Sequence, residues 1–90
     1  MAKTAKQLER YFKGVSCHRR IQMLRLIAES KGMTLLELSE TLKTNIKTTS
    51  EHTARLVKAG LVNKNYRGNF VIHTLSPYGE KMIKVFTEFE

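Results

Sequence analysis

Residues 34–62 read TLLELSETLKTNIKTTSEHTARLVKAGLV, and the pattern of this stretch decides the fold. Thr34 and Glu37 have the spacing of a capping box, which predicts that a short helix begins there and covers 34–42. Asn45 is a residue type that caps helix N-termini, so a second helix is predicted after a break of only three residues. Two short helices joined in this way are typical of a helix-turn-helix.

A β-hairpin is predicted directly after the second helix, which should extend over 46–58 and end at Gly60. β-Branched and aromatic residues lie on both sides of Gly68-Asn69, a dipeptide that favours a tight turn. The two strands and their turn would cover 61–75. A hairpin in this position would be the wing of a winged helix-turn-helix.

The rest of the chain is predicted to be helical. Large apolar residues at helical spacing indicate an N-terminal helix over 5–13, and Ser16 is a candidate cap for the helix that follows. A Ser-Pro pair, in which Pro takes the first helical position, predicts a last helix over 77–89. Residues 1–90 therefore indicate a single, mainly α-helical domain with the order α-α-α-α-β-β-α.

The chain is strongly basic and its charge is uneven. Sixteen Lys and Arg residues against eight Glu residues give the 90-residue chain a formal net charge of +8. Residues 43–67 alone hold six basic residues against one Glu. A basic excess in one stretch favours a polyanionic partner such as nucleic acid, although a solvated surface would also explain it.

Composition excludes several classes of protein. No apolar run approaches the roughly eighteen residues that a membrane span needs, and the charged N-terminus predicts no secretory signal. A single cysteine can form neither an internal disulfide nor a cysteine-rich metal site. The sequence contains no phosphate loop, Ser-His-Asp arrangement or paired-carboxylate cleft, so we expect no enzyme, no cofactor and no metal. The prediction is a soluble, cytoplasmic, nucleoid-associated protein without a membrane partner.

Five short motifs occur in an order and spacing that match a known family. They are RIQML at 20–24, EL at 37–38 followed by Leu42, TTSEH at 48–52, KAGLV at 58–62 and LSPYG at 75–79. Over residues 16–86 the chain resembles the winged helix-turn-helix transcriptional regulators, most closely the ArsR-type group, with MarR-type proteins also similar. Thr44 and Thr53 stand where this family usually has Leu, and Lys43 replaces the common turn Gly. The cysteine pair with which many ArsR-type proteins sense metals is absent.

The resemblance implies a DNA-binding transcription regulator with helix 46–58 as its recognition helix. If Thr49, Thr53 and Leu56 face the core, the opposite face can enter the major groove, where each base pair has a distinct hydrogen-bonding pattern. The wing would contact the flanking backbone or the minor groove. The candidate DNA-binding residues are Thr34, Asn45, Lys47, Thr48, Ser50, Glu51, His52, Arg55, Lys64 and Arg67.

Several of these residues have a purely structural alternative. Glu51 and Arg55 have the i, i+4 spacing of a surface ion pair, and we expect that pair in the free protein. Thr34 could bind a phosphate through its backbone N–H or serve only as a helix cap. Arg67 could enter a narrow minor groove or simply be solvated at the wing tip.

The first and last helices are predicted to form a homodimer interface. They carry more large apolar residues than a small core needs, and similar regulators pair through these helices. A dimer would read two half-sites about 34–36 Å apart. The alternative is that both helices fold onto their own core. The candidate interface residues are Leu8, Tyr11, Phe12, Met82, Phe86 and Phe89.

The remaining reactive residues are few. Cys17 lies near a helix N-terminus beside several basic residues, a setting that would lower the pKa of its thiol and suit a redox sensor. An inert thiol is the alternative, since there is no second cysteine to resolve an oxidised one. His18, His52 and His73 lack the spacing of metal ligands. His73 is predicted to be a half-buried packing residue in a strand.

The leading hypothesis is a sequence-specific, dimeric transcription regulator that binds double-stranded DNA and represses by covering a promoter. One alternative is a nucleoid-type architectural protein, which would use the same fold with little sequence preference. Another is a winged-helix protein-interaction module, which would have no affinity for DNA. The basic stretch at 43–67 counts against this last alternative.

Overall fold

Residues 2–90 are described by a computed structural model, in which they fold into five α-helices and a three-stranded antiparallel sheet. The order of the helices and of the hairpin confirms the predicted winged helix-turn-helix. Within these residues, no helix is both long and apolar enough to cross a membrane. The elements are α1 (Ala5–Gly14), α2 (His18–Ser30), β1 (Met33–Thr34), α3 (Leu35–Leu42), α4 (Ile46–Lys58), β2 (Val62–Arg67), β3 (Phe70–Leu75) and α5 (Pro77–Glu88).

The strand β1 is not predicted by the sequence. It has two residues and pairs antiparallel with β3, which lies between β1 and β2 in the sheet. Met33 lies opposite His73, and Nδ1–H of His73 donates a hydrogen bond to the Met33 carbonyl oxygen at 3.2 Å. His73 is buried, with 3% of its surface exposed, which corrects the prediction of a half-buried residue.

The helix starts follow the predicted capping chemistry with one exception. The Thr34 hydroxyl accepts a hydrogen bond from the Glu37 N–H, and the Glu37 carboxylate accepts one from the Thr34 N–H at 2.8 Å. Ser16 does not cap α2, because its hydroxyl donates instead to the Lys13 carbonyl oxygen at the end of α1, at 2.9 Å. Cys17 occupies the N-cap position of α2 and makes no capping hydrogen bond through its side chain.

The core lies among α2, α3, α4 and the start of the hairpin, and α1 and α5 pack onto it. Gly14 lies against Ala59, and Gly79 lies against the carbonyl group of Leu61. A Cβ atom on either glycine would overlap its neighbour, so α1 packs closely on Ala59 and α5 on Leu61, which both follow α4. The fully buried apolar side chains are Met23, Leu24, Ile27, Leu38, Leu56, Leu61 and Val62.

Hydroxyl groups hold the turn between α3 and α4. The hydroxyl oxygens of Thr44 and Thr49 are 2.7 Å apart, and the Ser39 hydroxyl donates to the Thr44 carbonyl oxygen at 2.6 Å. The Thr53 hydroxyl also finds a carbonyl partner, within α4. Lys43 takes the left-handed conformation that ends α3, with a φ of 54°. Hydrogen bonds thus replace the apolar packing that the family pattern predicts around this turn.

The free energy of unfolding is expected to decrease as the pH falls below about 6.5, the ordinary pKa of histidine. Burial lowers the pKa of His73, so the folded protein keeps this imidazole neutral while the unfolded chain protonates it. The unfolded state therefore binds more protons, and stability that is fully present above pH ~6.5 is lost as the pH falls through the lower, folded-state pKa. Denaturant unfolding between pH about 7.5 and about 5.5 measures this dependence.

Two variants test the contribution of His73. His73→Gln is expected to be less stable than wild type and to depend less on pH, because the buried titrating group has gone. His18→Gln makes the same substitution at an exposed histidine and serves as the matched control. Equal pH dependence in His73→Gln and wild type would show that His73 is not the cause.

Candidate nucleic-acid interface

The helix α4 buries one face and exposes the other. Thr49, Thr53 and Leu56 are buried, as their helical spacing predicts. Asn45 caps the helix, because its side-chain oxygen accepts hydrogen bonds from two backbone N–H groups of the first turn, at 2.7 and 3.4 Å. The DNA-binding candidates that α4 exposes to solvent are Lys47, Thr48, Ser50, Glu51 and Arg55.

The predicted ion pair between Glu51 and Arg55 is not formed. Within residues 2–90, the ion pairs involve only Glu9 and Glu90 as acids. An exposed pair at this spacing stabilises a helix by only about 0.3–0.5 kcal/mol, so water competes effectively with it. The Arg55 side chain instead lines a cleft together with residues of α1 and α2.

His52 lies on the side of α4 that faces α2 and is half-buried. Nη1 of Arg20 donates a hydrogen bond to Nδ1 of His52 over 3.4 Å, and Nε of Arg20 donates to the Gly14 carbonyl oxygen at 2.7 Å. Burial first, and then the positive charges of Arg20 and Arg55, lower the pKa of His52. The imidazole is therefore neutral at pH 7, and Arg20 connects the end of α1 to α4.

The wing is a regular hairpin that carries its basic side chains in solvent. β2 and β3 pair over their whole length, and Gly68 has a φ of 60° at the first turn position, as a type II′ turn requires. Lys64 and Arg67 are exposed. An open cleft of about 370 Å³ runs between the wing, α3 and α4, and both Lys64 and Ser50 line it. The wing and the exposed face of α4 thus form two walls of one concave surface.

Thr34 caps α3, which is one of its two predicted roles. Its backbone N–H already donates to Glu37 within the capping box. That N–H also lowers the pKa of the Glu37 carboxyl group, which stays ionised in this position. A phosphate at the start of α3 would have to displace a bound carboxylate, so the Thr34 N–H acts as part of the helix cap.

Cys17 is half-buried at the start of α2. The backbone N–H of Arg20 lowers the pKa of its thiol, and burial opposes this effect. Its redox role stays a prediction. In the part of the chain that the structure describes, no three His, Cys, Asp or Glu side chains are grouped closely enough to hold a metal ion.

The predicted interface residues of the terminal helices divide into two groups. Leu8 and Phe12 on α1 are 45% and 52% exposed, and Phe89 after α5 is 87% exposed. The others, which pack on the core of their own chain, are Tyr11, Met82 and Phe86. The first group is exposed to solvent, whereas the second contributes to the core of its own chain.

An apolar cleft of about 240 Å³ lies between α1 and α5. The rings of Tyr11 and Tyr78 stack there with their centroids 4.8 Å apart, and the Lys3 ammonium lies 4.7 Å from the Tyr78 centroid. Leu8 and Phe12 line the same cleft. The exposed side chains of α1 therefore continue into a recessed apolar surface.

Comparison with known proteins agrees with this arrangement. A sequence profile of the family described as "Bacterial regulatory protein, arsR family" matches residues 17–64, more than half of the chain. HlyU from Vibrio cholerae has a similar structure, with a TM-score of 0.85 and 28% identity over 99% of this chain and 97% of that one. The transcriptional regulator HlyU from Vibrio vulnificus has a TM-score of 0.78 and 26% identity over 94% and 88% of the two chains.

A third similar structure comes from Mycobacterium bovis. It is Mb0332, described as a homodimeric winged helix-turn-helix DNA-binding domain and a possible ArsR-family transcriptional regulator. Its TM-score is 0.85 and its identity 20%, over 99% of this chain and 89% of that one, so this likeness concerns the fold alone. A search of curated proteins finds no match. The matched family and the Vibrio vulnificus protein are described as regulatory proteins rather than enzymes, as the sequence predicts.

Proposed function

Because the chain belongs to the arsR family of bacterial regulatory proteins and has its winged-helix DNA-binding fold, we propose that it is a homodimeric repressor that binds specific sites in double-stranded DNA. One observation carries the proposal. The exposed face of α4 presents basic and hydroxyl side chains, while the opposite face is fixed in the core.

The major groove is the site that this face fits. The groove is about 12 Å wide and admits one α-helix, whose diameter with side chains is about 10–12 Å. Lys47 and Arg55 can contact guanine or phosphate, and the hydroxyl groups of Thr48 and Ser50 can contact bases or phosphates. Glu51 has no basic partner on α4, so its carboxylate is open to accept a hydrogen bond from cytosine N4.

The wing adds a second contact beside the groove. Lys64 faces the cleft next to α4, and Arg67 lies at the hairpin tip. Basic side chains in these places suit the phosphate backbone, and an arginine also suits a narrow minor groove. Repression follows if the bound dimer covers a promoter.

Exposed apolar side chains on the terminal helices favour a dimer. Leu8, Phe12 and Phe89 expose large apolar surfaces that a chain of 90 residues would otherwise leave in water. The similar Mycobacterium bovis domain is described as homodimeric. A two-fold dimer through α1 and α5 would carry two copies of α4 and so read two half-sites.

Lys47→Ala/Arg55→Ala is expected to weaken DNA binding strongly. Each bidentate base contact discriminates by about 1–3 kcal/mol, and each lost phosphate contact lowers the slope of log K against log salt by about 0.9. Fluorescence anisotropy with a labelled duplex, titrated at several salt concentrations, measures both quantities. Selection from random duplexes first supplies the preferred site.

A matched control removes the same charge elsewhere. Lys31→Asn/Lys84→Gln also deletes two cations, but one follows the C-terminus of α2 and the other lies on α5. Asn tolerates the left-handed conformation that Lys31 adopts, with a φ of 62°. If the α4 variant behaves like this control, α4 does not read DNA. If wild type binds all duplexes equally, the architectural alternative takes precedence, and no binding at low salt would favour a protein-interaction module.

A further inference from the structure

A cleft of about 210 Å³ lies on the side of α4 that faces α1 and α2, away from the wing. We propose that this cationic cleft binds the phosphate backbone of the DNA, beside the major groove that α4 occupies. The inference rests on the proposed function and extends the contact surface to α1. The residues that line the cationic cleft are Arg10, Lys13, Gly14, Arg20, Arg55, Lys58 and Ala59.

The cationic cleft concentrates positive charge without acidic residues in its lining. Five of its seven lining residues are Lys or Arg, and none is Asp or Glu. Lys13 has an acidic neighbour, with Nζ 3.8 Å from the Glu9 carboxylate, but the Lys13 side chain is 73% exposed. Exposed pairs of this kind are weak, so a phosphate can compete for the ammonium group. The unneutralised cations make this surface suitable for a polyanion.

Two of the arginines are held in place before any ligand binds. Arg20 donates to the Gly14 carbonyl oxygen at 2.7 Å and to the Lys13 carbonyl oxygen at 3.4 Å. Arg10 donates to the Tyr11 hydroxyl at 3.3 Å, with its guanidinium 5.2 Å from the centroid of the Tyr11 ring. None of these contacts is with a carboxylate, so the positive charge of both guanidinium groups is available to an anionic ligand. Side chains ordered in advance lose less entropy on binding.

Neighbouring titratable groups respond to this positive field. After burial, the charges of Arg20 and Arg55 are the main causes that lower the pKa of His52. The hydrogen bond from Arg10 is the largest cause that lowers the pKa of Tyr11. The arginines of the cationic cleft therefore contribute to both shifts, beside burial at His52.

The position of the cationic cleft matches the shape of duplex DNA. The wing lies beside Ser50 and Ala54 of α4, whereas the cationic cleft lies beside Arg55 and Lys58. At 100° per residue, Ser50 and Ala54 lie toward one side of the exposed face, Arg55 lies toward the other side, and Lys58 lies between them. A major groove has a phosphate strand on each side, and a helix nearly as wide as the groove meets both. Lys64 on the wing therefore suits one strand, and the cationic cleft suits the other.

Salt dependence tests the assignment. The cleft variant, Arg10→Gln/Lys13→Gln, removes two charges of α1 and leaves Arg55 intact. The control variant, Lys31→Asn/Lys84→Gln, removes two charges outside the cationic cleft. The cleft variant is expected to bind a selected duplex tens of fold more weakly at about 0.1 M salt, and its log K–log salt slope should be lower by about 1.8, or 0.9 for each phosphate lost. The control variant should retain the wild-type slope. Circular dichroism checks that all variants are folded.

Ethylation interference locates the phosphates. Ethylation of a phosphate at the edge of the site should weaken DNA binding by wild type. It should have little further effect on DNA binding by the cleft variant, because that variant has already lost the contact. If cleft variant and control give equal slopes while Lys47→Ala/Arg55→Ala still weakens binding, the cationic cleft does not contact DNA but the proposed function stands. If wild type itself does not bind DNA, the proposed function is wrong, whatever the cleft variant does.

A small soluble polyanion is the competing occupant. Tripolyphosphate, titrated into the protein at about 0.1 M salt without DNA, tests for it by calorimetry. Binding that the Arg10→Gln/Lys13→Gln variant loses, together with an unchanged DNA slope, would assign the cationic cleft to a free anion and overturn the proposal. A lower DNA slope without tripolyphosphate binding supports it.

Discussion

Replacing Leu8 and Phe12 together by Ser is expected to convert the proposed dimer into a monomer. Both side chains are about half exposed on α1 and line the apolar cleft toward α5. In a two-fold interface each substitution occurs twice, so four apolar contacts disappear. At about 1–2 kcal/mol for each anchor, the dissociation constant should rise by roughly three to six orders of magnitude. Sedimentation velocity at about 10 µM should then give the mass of a single chain.

Serine keeps the net charge unchanged, so any effect on DNA binding reports on assembly. The variant should bind a two-half-site duplex no better than a single half-site. Leu36→Ser is the matched control, because Leu36 is equally exposed at 56% but lies on α3. That control should remain a dimer. Wild type that sediments as a monomer at about 100 µM would rule out the dimer, and a dimeric Leu8→Ser/Phe12→Ser variant would place the interface elsewhere.

Gly79→Ala is expected to lower the free energy of unfolding by about 3 kcal/mol, the upper end for an overpacked core. A Cβ atom at this position would overlap the carbonyl oxygen of Leu61. That oxygen cannot easily move, because it accepts a hydrogen bond from the Ser76 N–H at 3.0 Å. The melting temperature should fall by about 12–24 °C, as measured by thermal unfolding, since 1 kcal/mol corresponds to about 4–8 °C at this size.

Gly68→Ala provides the comparison for Gly79→Ala. A Cβ atom on Gly68 would meet no other atom within 4 Å, but its φ of 60° lies in the left-handed region. Only backbone strain opposes that substitution, at about 1–2 kcal/mol. If Gly79→Ala costs no more than Gly68→Ala, the start of α5 is less tightly packed than its contact with Leu61 implies.

The sequence predicts those parts of the fold whose signals lie within a few residues of one another. The capping box joins Thr34 and Glu37 within one helical turn, and Asn45 caps α4 through N–H groups of its first turn. The hairpin register follows from the Gly68-Asn69 turn. Each of these depends on local backbone chemistry, which propensity and spacing describe well.

Features that depend on distant contacts are not predictable in the same way. The strand β1 exists because Met33 pairs with His73, forty residues later. Ser16 has the right type for a cap, but α1 continues to Gly14 and leaves the Ser16 hydroxyl beside a carbonyl at its end. Thr44 stands where the family usually has Leu, and only the 2.7 Å contact of its hydroxyl oxygen with that of Thr49 explains it.

In the candidate site, too, local patterns are predictable from the sequence and distant contacts are not. The exposed face of α4 follows from helical periodicity once its buried face is known. Periodicity cannot tell how deeply a terminal helix packs, so Tyr11 is buried while its neighbour Phe12 is half exposed. Arg10, Arg20 and Lys58 lie on three different helices, and only the fold brings them to one cleft.

The contact between Gly14 and Ala59 has a consequence for the DNA sites themselves. Gly14 lets α1 pack directly against Ala59, so a dimer formed through α1 would hold its two recognition helices at a set separation. One base pair inserted at the centre of a site would move the second half-site by about 3.4 Å and rotate it by about 34°. Among the sites that this protein accepts, the length of the central spacer should therefore vary less than the bases within each half.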